Sequence, residues 1–236
     1  MIDLAGMKEL SIGGVNLREL SVNGVKVWQK SRLPAGYTEV EWIESTGTQY
    51  IDTGIKASDY PGGITYIFTV SITSHTSVSY LMGALANSTR SGNVTISDDG
   101  RLVMACGGNN QSLYHTYFTA GELLNVRFED VTATDITAMK CYTNDVEWDK
   151  IAFDLGVSSA MPDANIYFLK CNGSSRVGAS CKTHGRFMMI DSSNGDVLRD
   201  FKTCINQSGT AGLFDLVSNK FFPNAGTGAF TAGPAV

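Results

Sequence analysis

Leu33-Pro-Ala-Gly-Tyr-Thr-Glu-Val-Glu-Trp-Ile-Glu-Ser-Thr-Gly-Thr-Gln-Tyr-Ile-Asp-Thr-Gly54 decides the reading of the fold. Tyr37–Glu44 alternates apolar and polar side chains, as a half-buried strand does, and Gln49–Thr53 repeats the alternation. The pattern is strand, turn, strand, with no 3.6-residue period in it.

The same pattern runs on toward the C-terminus. Gly63–Ile72 is rich in Ile, Tyr, Phe, Val and Thr, and Val94–Ile96 and Arg101–Ala105 flank the turn Asp98-Asp99-Gly100. Leu123–Phe128, Ala138–Tyr142, Asn165–Leu169 and Gly185–Ile190 read as further strands, and the turn Asp191–Gly195 leads into Asp196–Phe201. Lys220–Phe222 alternates, and the Gly-Thr-Gly at 226–228 suits a turn before a final strand, Ala229–Thr231. No segment of helix length is amphipathic. Many short strands with frequent turn signals predict an all-β sandwich or jelly roll.

Ahead of this domain, Leu10-Ser-Ile-Gly-Gly-Val15 and Leu20-Ser-Val-Asn-Gly-Val25 share the pattern L-S-[IV]-x-G-V, and Met7, just before the repeat, is an alternative candidate for the start. Asn23-Gly24 between Val22 and Val25 is a strong hairpin signal, because a type I′ turn needs positive φ at both central residues. Two such small hairpins bury too little surface to stand alone and need a partner. Gln29–Gly36 reads as a connector. Residues 1–32 are therefore expected to form a β-hairpin attachment or oligomerisation module, and 33–236 the sandwich.

Composition fits. Of 236 residues, 43% are hydrophobic and 17% charged, which argues against disorder, and 25 glycines suit many turns. The formal net charge is −5. Residues 1–32 hold five basic and three acidic residues, leaving 13 and 20 of the chain's 18 and 23 for the remainder. With no Lys/Arg cluster, nucleic acid is not an expected partner. No apolar run reaches a membrane-spanning length. Met1–Gly6 places an acid where a signal peptide carries a base, which predicts assembly in a cytoplasm. The five cysteines, Cys106, Cys141, Cys171, Cys181 and Cys204, contain no C-x-x-C, so buried free thiols are expected, although Cys171 and Cys181 have a spacing that a hairpin could bridge.

Leu33–Gly54 resembles the opening of the concanavalin A-like (laminin G-like) sandwich family found in phage and prophage tail or surface proteins. Val197–Phe201 and Gly212-Leu-Phe-Asp-Leu-Val-Ser-Asn-Lys-Phe-Phe-Pro-Asn-Ala-Gly-Thr-Gly-Ala-Phe-Thr-Ala-Gly233 resemble its closing strands. The resemblance implies a two-sheet jelly roll whose first and last segments meet, and a structural or adhesive role in a virion. It supplies no site residues.

Three constellations carry candidate chemistry. Glu39-Val-Glu41-Trp-Ile-Glu44 resembles the E-x-D-x-x-E motif of laminarinase-like glycoside hydrolases, which work with two carboxyls on one substrate. On a plain strand Glu39 and Glu41 share a face, and a β-bulge is needed to bring Glu44 round. The loop acids Asp98, Asp99 and Asp59, with Asp145 and Asp149 near Trp148, are candidates for Ca²⁺, but no D-x-[DN]-x-[DN]-G loop is present. Asn109-Asn-Gln-Ser-Leu-Tyr-His-Thr-Tyr117 offers amides and aromatics on an expected loop, so Asn109, Asn110, Gln111, Tyr114, His115 and Tyr117 are the expected glycan contacts. His75, His115 and His184 show no metal or triad spacing, and Gly107–Asn110 is followed by neither a helix nor a lysine, which rejects a phosphate loop.

The sequence thus predicts a non-enzymatic bacteriophage virion protein, a homo-oligomer held to other virion proteins through residues 1–32. It displays a lectin-like sandwich to host or mucosal glycans, at the tail or as capsid decoration, without a cofactor. The alternatives are a jelly-roll glycoside hydrolase using Glu39, Glu41 and Glu44, and a Ca²⁺-dependent lectin module of a bacterial surface protein.

Overall fold

In the computed structural model, Ile64, Tyr66, Phe68, Val70 and Ile72 of one strand all lie in the core, each at most 2% exposed, while between them Ile67 is exposed, Thr65 and Thr69 are half-buried and Ser71 is covered. This two-residue period is what a sheet with one wet face imposes. The described residues are 33–75, 77–86, 89–107, 112–131, 139–152, 162–175 and 177–236, with the strands at 11–12, 15–16, 19–22 and 25–29; for the latter, and for 86, 89–92, 106–107, 112–115, 130 and 150–152, only the backbone is described.

Residues 1–35 and 36–236 form two compact units. In the first, β1 (Ser11–Ile12) pairs antiparallel with β2 (Val15–Asn16), and β3 (Glu19–Val22) with β4 (Val25–Gln29). Val22 pairs with Val25, the register of a two-residue connection; Asn23 and Gly24 themselves lie outside the described residues.

The second unit opens with β5 (Thr38–Glu39), β6 (Trp42–Thr46) and β7 (Ile51–Lys56), followed by a 3₁₀ turn at Ala57–Asp59. Then come β8 (Ile64–Ser74), β9 (Ser79–Ala86), β10 (Thr89–Ile96), β11 (Arg101–Gly107), β12 (Ser112–Tyr117) and β13 (Leu123–Val131). The chain continues through β14 (Lys140–Thr143), β15 (Val146–Glu147), β16 (Asp149–Ala152), β17 (Asn165–Phe168) and β18 (Ser180–Asp191). It closes with β19 (Val197–Ile205), β20 (Ala211–Asp215), β21 (Lys220–Pro223) and β22 (Thr231–Ala232).

These make two sheets. The smaller runs β16-β12-β11-β10-β9-β17-β7. The larger runs β15-β14-β13-β8-β18-β19-β20-β21, with β6 beside the first half of β18, β22 outside β6, and β5 against β19. All strand pairs are antiparallel, and among the described residues no α-helix occurs. This is the expected two-sheet jelly-roll sandwich. Phenylalanines fill its centre: Phe68, Phe187 and Phe201 sit side by side on β8, β18 and β19, and Phe168 of the smaller sheet stacks on Phe187 at 4.3 Å. Burying each such ring contributes roughly 1.5–3 kcal/mol.

The first and last segments meet, as the resemblance implies. Val40 bridges Ala235, Ile43 pairs with Ala232 and Glu44 with Thr231. Further along, Ala225 N–H donates to Tyr50 O and Thr227 N–H to Thr48 O. Gly226 permits this approach, since a Cβ there would lie 2.0 Å from Thr48 O.

The structure departs from the sequence reading in several places, four of which bear on how the sandwich closes. Tyr37–Glu44 is two strands, because the chain breaks at Val40–Glu41 as its partner changes from β19 to β18. The final strand is Thr231–Ala232 instead of 229–231, since Phe230 turns into the core at 6% exposure. β9 was not anticipated: Ser79–Ala84 is buried throughout, so Ser-Tyr-Leu-Met-Gly-Ala shows no alternation. β20, also buried throughout, was seen only as part of the closing resemblance.

Candidate functional site

Among the described residues, the carboxylates singled out from sequence do not gather into one site. Glu39 on β5 forms an ion pair with Lys202 of β19 at 2.7 Å, both side chains largely covered. Glu41 is exposed in the break, and Glu44 lies on β6 between β18 and β22. The single strand expected to carry all three carboxylates is therefore divided. Asp99 of the Asp98–Gly100 turn accepts from Ser97 and pairs with Arg101 at 2.8 Å; these contacts hold its carboxyl below the usual range. Among the described residues no group of three His, Cys, Asp or Glu side chains is arranged to hold a metal.

The stretch expected to be a loop carrying the glycan contacts is a strand over its last six residues. Ser112–Tyr117 is β12, paired with β11 on one side and β16 on the other, with Tyr114 opposite Met104 and His115 opposite Val103. Tyr117, at the strand end, is 67% exposed. Asn109, Asn110 and Gln111 lie outside the described residues, as do the side chains of Tyr114 and His115.

The richest polar surface lies elsewhere, on the solvent face of the larger sheet. Register sets Asn125 (β13), Thr69 (β8), His184 (β18) and Trp42 (β6) in one row. The next row holds Ser71, Lys182 and Glu44. Their strand neighbours Leu124, Val126, Val70, Ile72, Cys181 and Ile43 are all core residues, which turns these positions outward.

The rows are tied together. Thr69 Oγ1 donates to Asn125 Oδ1 at 2.9 Å, and Ser71 Oγ lies 3.1 Å from His184 Nε2. The Lys182 ammonium sits 4.1 Å from the Trp42 ring centroid, a cation–π contact. The indole lies against the chain at Gly233, where a Cβ would come within 2.7 Å of the ring. Partial burial, and then Lys182, push the His184 pKa below its ordinary value against a smaller opposing pull from Glu41, so the ring is neutral at pH 7. Beside the rows, Arg186 forks onto Asp200 at 2.6 and 2.8 Å. The face thus offers an amide, hydroxyls, a neutral imidazole and an aromatic ring on rigid strands. Sequence reading missed it because the residues come from four distant segments; the local signal was only the alternation Trp42, Glu44 and Lys182, His184.

A second feature is a cleft of about 210 Å³ at one end of the sandwich, lined by Thr46, Gly47, Thr48, Ser74, Ser77, Ser79, Val177, Gly178 and Ser180.

The comparisons bear on the fold. No protein-family model matches the chain, and no curated protein matches it. Among solved structures, a Bacteroides ovatus protein proposed to bind carbohydrate superposes with a TM-score of 0.57 at 12% identity, over 84% of this chain and 62% of that one. This chain therefore spans less than two thirds of that protein. The galectin LEC-6 of Caenorhabditis elegans (TM-score 0.36, 10% identity, 63% of this chain and 94% of that one) and a heptameric SAP-like pentraxin of Limulus polyphemus (0.39, 11%, 66% and 75%) align more loosely. At these identities the likeness concerns the fold alone.

Proposed function

We propose that this protein is a non-enzymatic glycan-binding module that reads saccharides with the solvent face of its larger sheet. The observation that carries the reading is the row Asn125–Thr69–His184–Trp42, backed by Ser71, Lys182 and Glu44. Saccharides present hydroxyls that donate and accept, together with apolar C–H faces. An amide, a neutral imidazole and hydroxyls match the first, and an indole edge the second. The contacts among the side chains fix them before any ligand arrives, which lowers the entropic cost of binding. The ion pair between Glu39 and Lys202 supports a binding role over hydrolysis, because it engages one of the three candidate carboxylates, of which hydrolysis would need two on one substrate.

The finer reading, a bacteriophage virion protein that joins its particle and its own copies through residues 1–32, rests on the resemblance of Leu33–Gly54 and 212–233 to phage sandwich domains. The separate hairpin unit supports it.

The test is a glycan array followed by calorimetry on the best ligand, with His184→Ala and Asn125→Ala. Each variant is expected to weaken binding about tenfold, about 1.4 kcal/mol, while the melting temperature holds. Unchanged affinity in both variants contradicts the site. Saccharide cleavage abolished by Glu44→Gln contradicts the non-enzymatic reading. Absence of the protein from purified particles contradicts the virion assignment.

A further inference from the structure

We infer that the cleft at the end of the sandwich is a second binding site, built for one neutral sugar ring and separate from the outer-face site. Register brings its wall together: Ser180 at the start of β18 lies between Thr46 of β6 and Ser74 of β8. Ser79 faces them from the first residue of β9 in the other sheet. The two sheets are joined here by a backbone bond from Tyr80 N–H to Val177 O and by Gly178 N–H to Gly47 O.

Two of the lining residues, Gly47 and Gly178, do not tolerate a side chain. Gly47 has a φ of +102°, and a Cβ on Gly178 would lie 2.2 Å from Leu169 O.

The hydroxyls divide into two groups. Thr46 Oγ1 donates to Gln49 Oε1, and Thr48 Oγ1 to Thr227 O. Ser74, Ser77, Ser79 and Ser180 also line the cleft, but their hydroxyls bond to no described residue. Ser79 is the telling one. It is only 5% exposed, and what remains of its surface opens into the cleft. With no partner among the described residues, its hydroxyl can donate to and accept from a ligand that enters the cleft.

Volume and charge name the ligand class. At about 30 Å³ per water, the space holds roughly seven waters, the bulk of one pyranose ring, and it is smaller than the 300–1,000 Å³ of drug-sized pockets. Among the described residues no lining side chain is charged, so an ionised ligand would lose hydration without gaining an ion partner. Hydroxyls that both donate and accept match a polyhydroxyl ring, and Val177, 54% exposed at the rim, provides an apolar contact for its C–H face.

The site shares no residue with the outer face, although Ser180 is two positions from Lys182 along β18, roughly 7 Å. The test uses the full chain and saturation-transfer NMR with neutral hexoses, glucuronate serving as the charged control. Ser77→Trp fills the cleft from its exposed rim, and Ser79→Ala deletes the covered hydroxyl. Neutral hexose is expected to bind saturably, to lose about tenfold or more in affinity in Ser77→Trp, to weaken in Ser79→Ala, and to be unaffected by His184→Ala. No saturable hexose binding, binding indifferent to Ser77→Trp, or a preference for glucuronate overturns the inference. Oligosaccharide binding that His184→Ala abolishes and Ser77→Trp leaves intact keeps the outer-face reading whatever the cleft does.

Discussion

His184 Nε2 lies 3.1 Å from Ser71 Oγ, linking β18 to β8 on the solvent face of the larger sheet. The ring is partly buried and close to Lys182, so its pKa in the folded protein is lowered. An unfolded histidine takes up its proton near pH 6.5. Between that point and the lower folded pKa the unfolded chain binds more protons, so this group costs stability as the pH falls through the window. Melting temperatures of the wild type and His184→Gln, measured from pH 8 to pH 5, are expected to run parallel above about 6.5. Below it the wild type falls more steeply; parallel curves throughout contradict the assignment.

The seam between the ends of the sandwich is anchored by Phe230, buried at 6% exposure between the strand bonds of 225–227 and those of 231–235. Phe230→Ala is expected to cost about 3–5 kcal/mol. At roughly 2–4 °C per kcal/mol for a domain of this size, that lowers the melting temperature by about 10 °C. Val236, 81% exposed, serves as the control, and its change to Ala is expected to have little effect. Calorimetry or circular dichroism reads both.

Gly83 sits at φ +138° in the middle of β9, and a Cβ there would fall 2.0 Å from Asn93 Oδ1 on β10. Gly83→Ala therefore forces the two strands apart and is expected to destabilise by about 1–3 kcal/mol. Gly195, with nothing within 4 Å of its added Cβ, provides a comparison in which only backbone strain acts. A Gly83→Ala protein that melts no lower than Gly195→Ala contradicts the close approach.

Cys141, Cys171, Cys181 and Cys204 are buried thiols. The spacing of Cys171 and Cys181 does not produce a disulfide: the Cys171 thiol donates to Asn93 Oδ1, while Cys181 is a core residue of β18. Burial, and secondarily Glu39, push the Cys204 thiol up to about 12, and burial with Glu44 raises Cys181 further. All four are expected to resist alkylation at pH 8 in the native protein and to react fully in denaturant, as read by peptide mass spectrometry. Rapid native labelling of any of them contradicts the packing.

Much of the fold was legible because strands with one wet face announce themselves locally. Gly63–Ile72 became Ile64–Ser74, and the Asp191–Gly195 turn stands where its residues placed it. β9 was illegible because Ser79–Ala84 is buried throughout, which leaves no polar alternation to read; at its two ends Leu85 N–H donates to Asn172 O and Tyr80 N–H to Val177 O. The break at Val40–Glu41 was hidden because alternation continues across it. For the site, composition pointed to Asn109–Tyr117, which has saccharide chemistry in one short stretch. The outer-face rows need the register of four strands, and register between distant segments is set by core packing that no local pattern records.

The most direct measurement is chemical-shift mapping by ¹H–¹⁵N NMR during titration with the oligosaccharide that scores highest on an array. The account predicts perturbations centred on Thr69, Asn125, His184 and the Trp42 indole N–H. Perturbations confined to Asn109–Tyr117, or none at saturating ligand, contradict it.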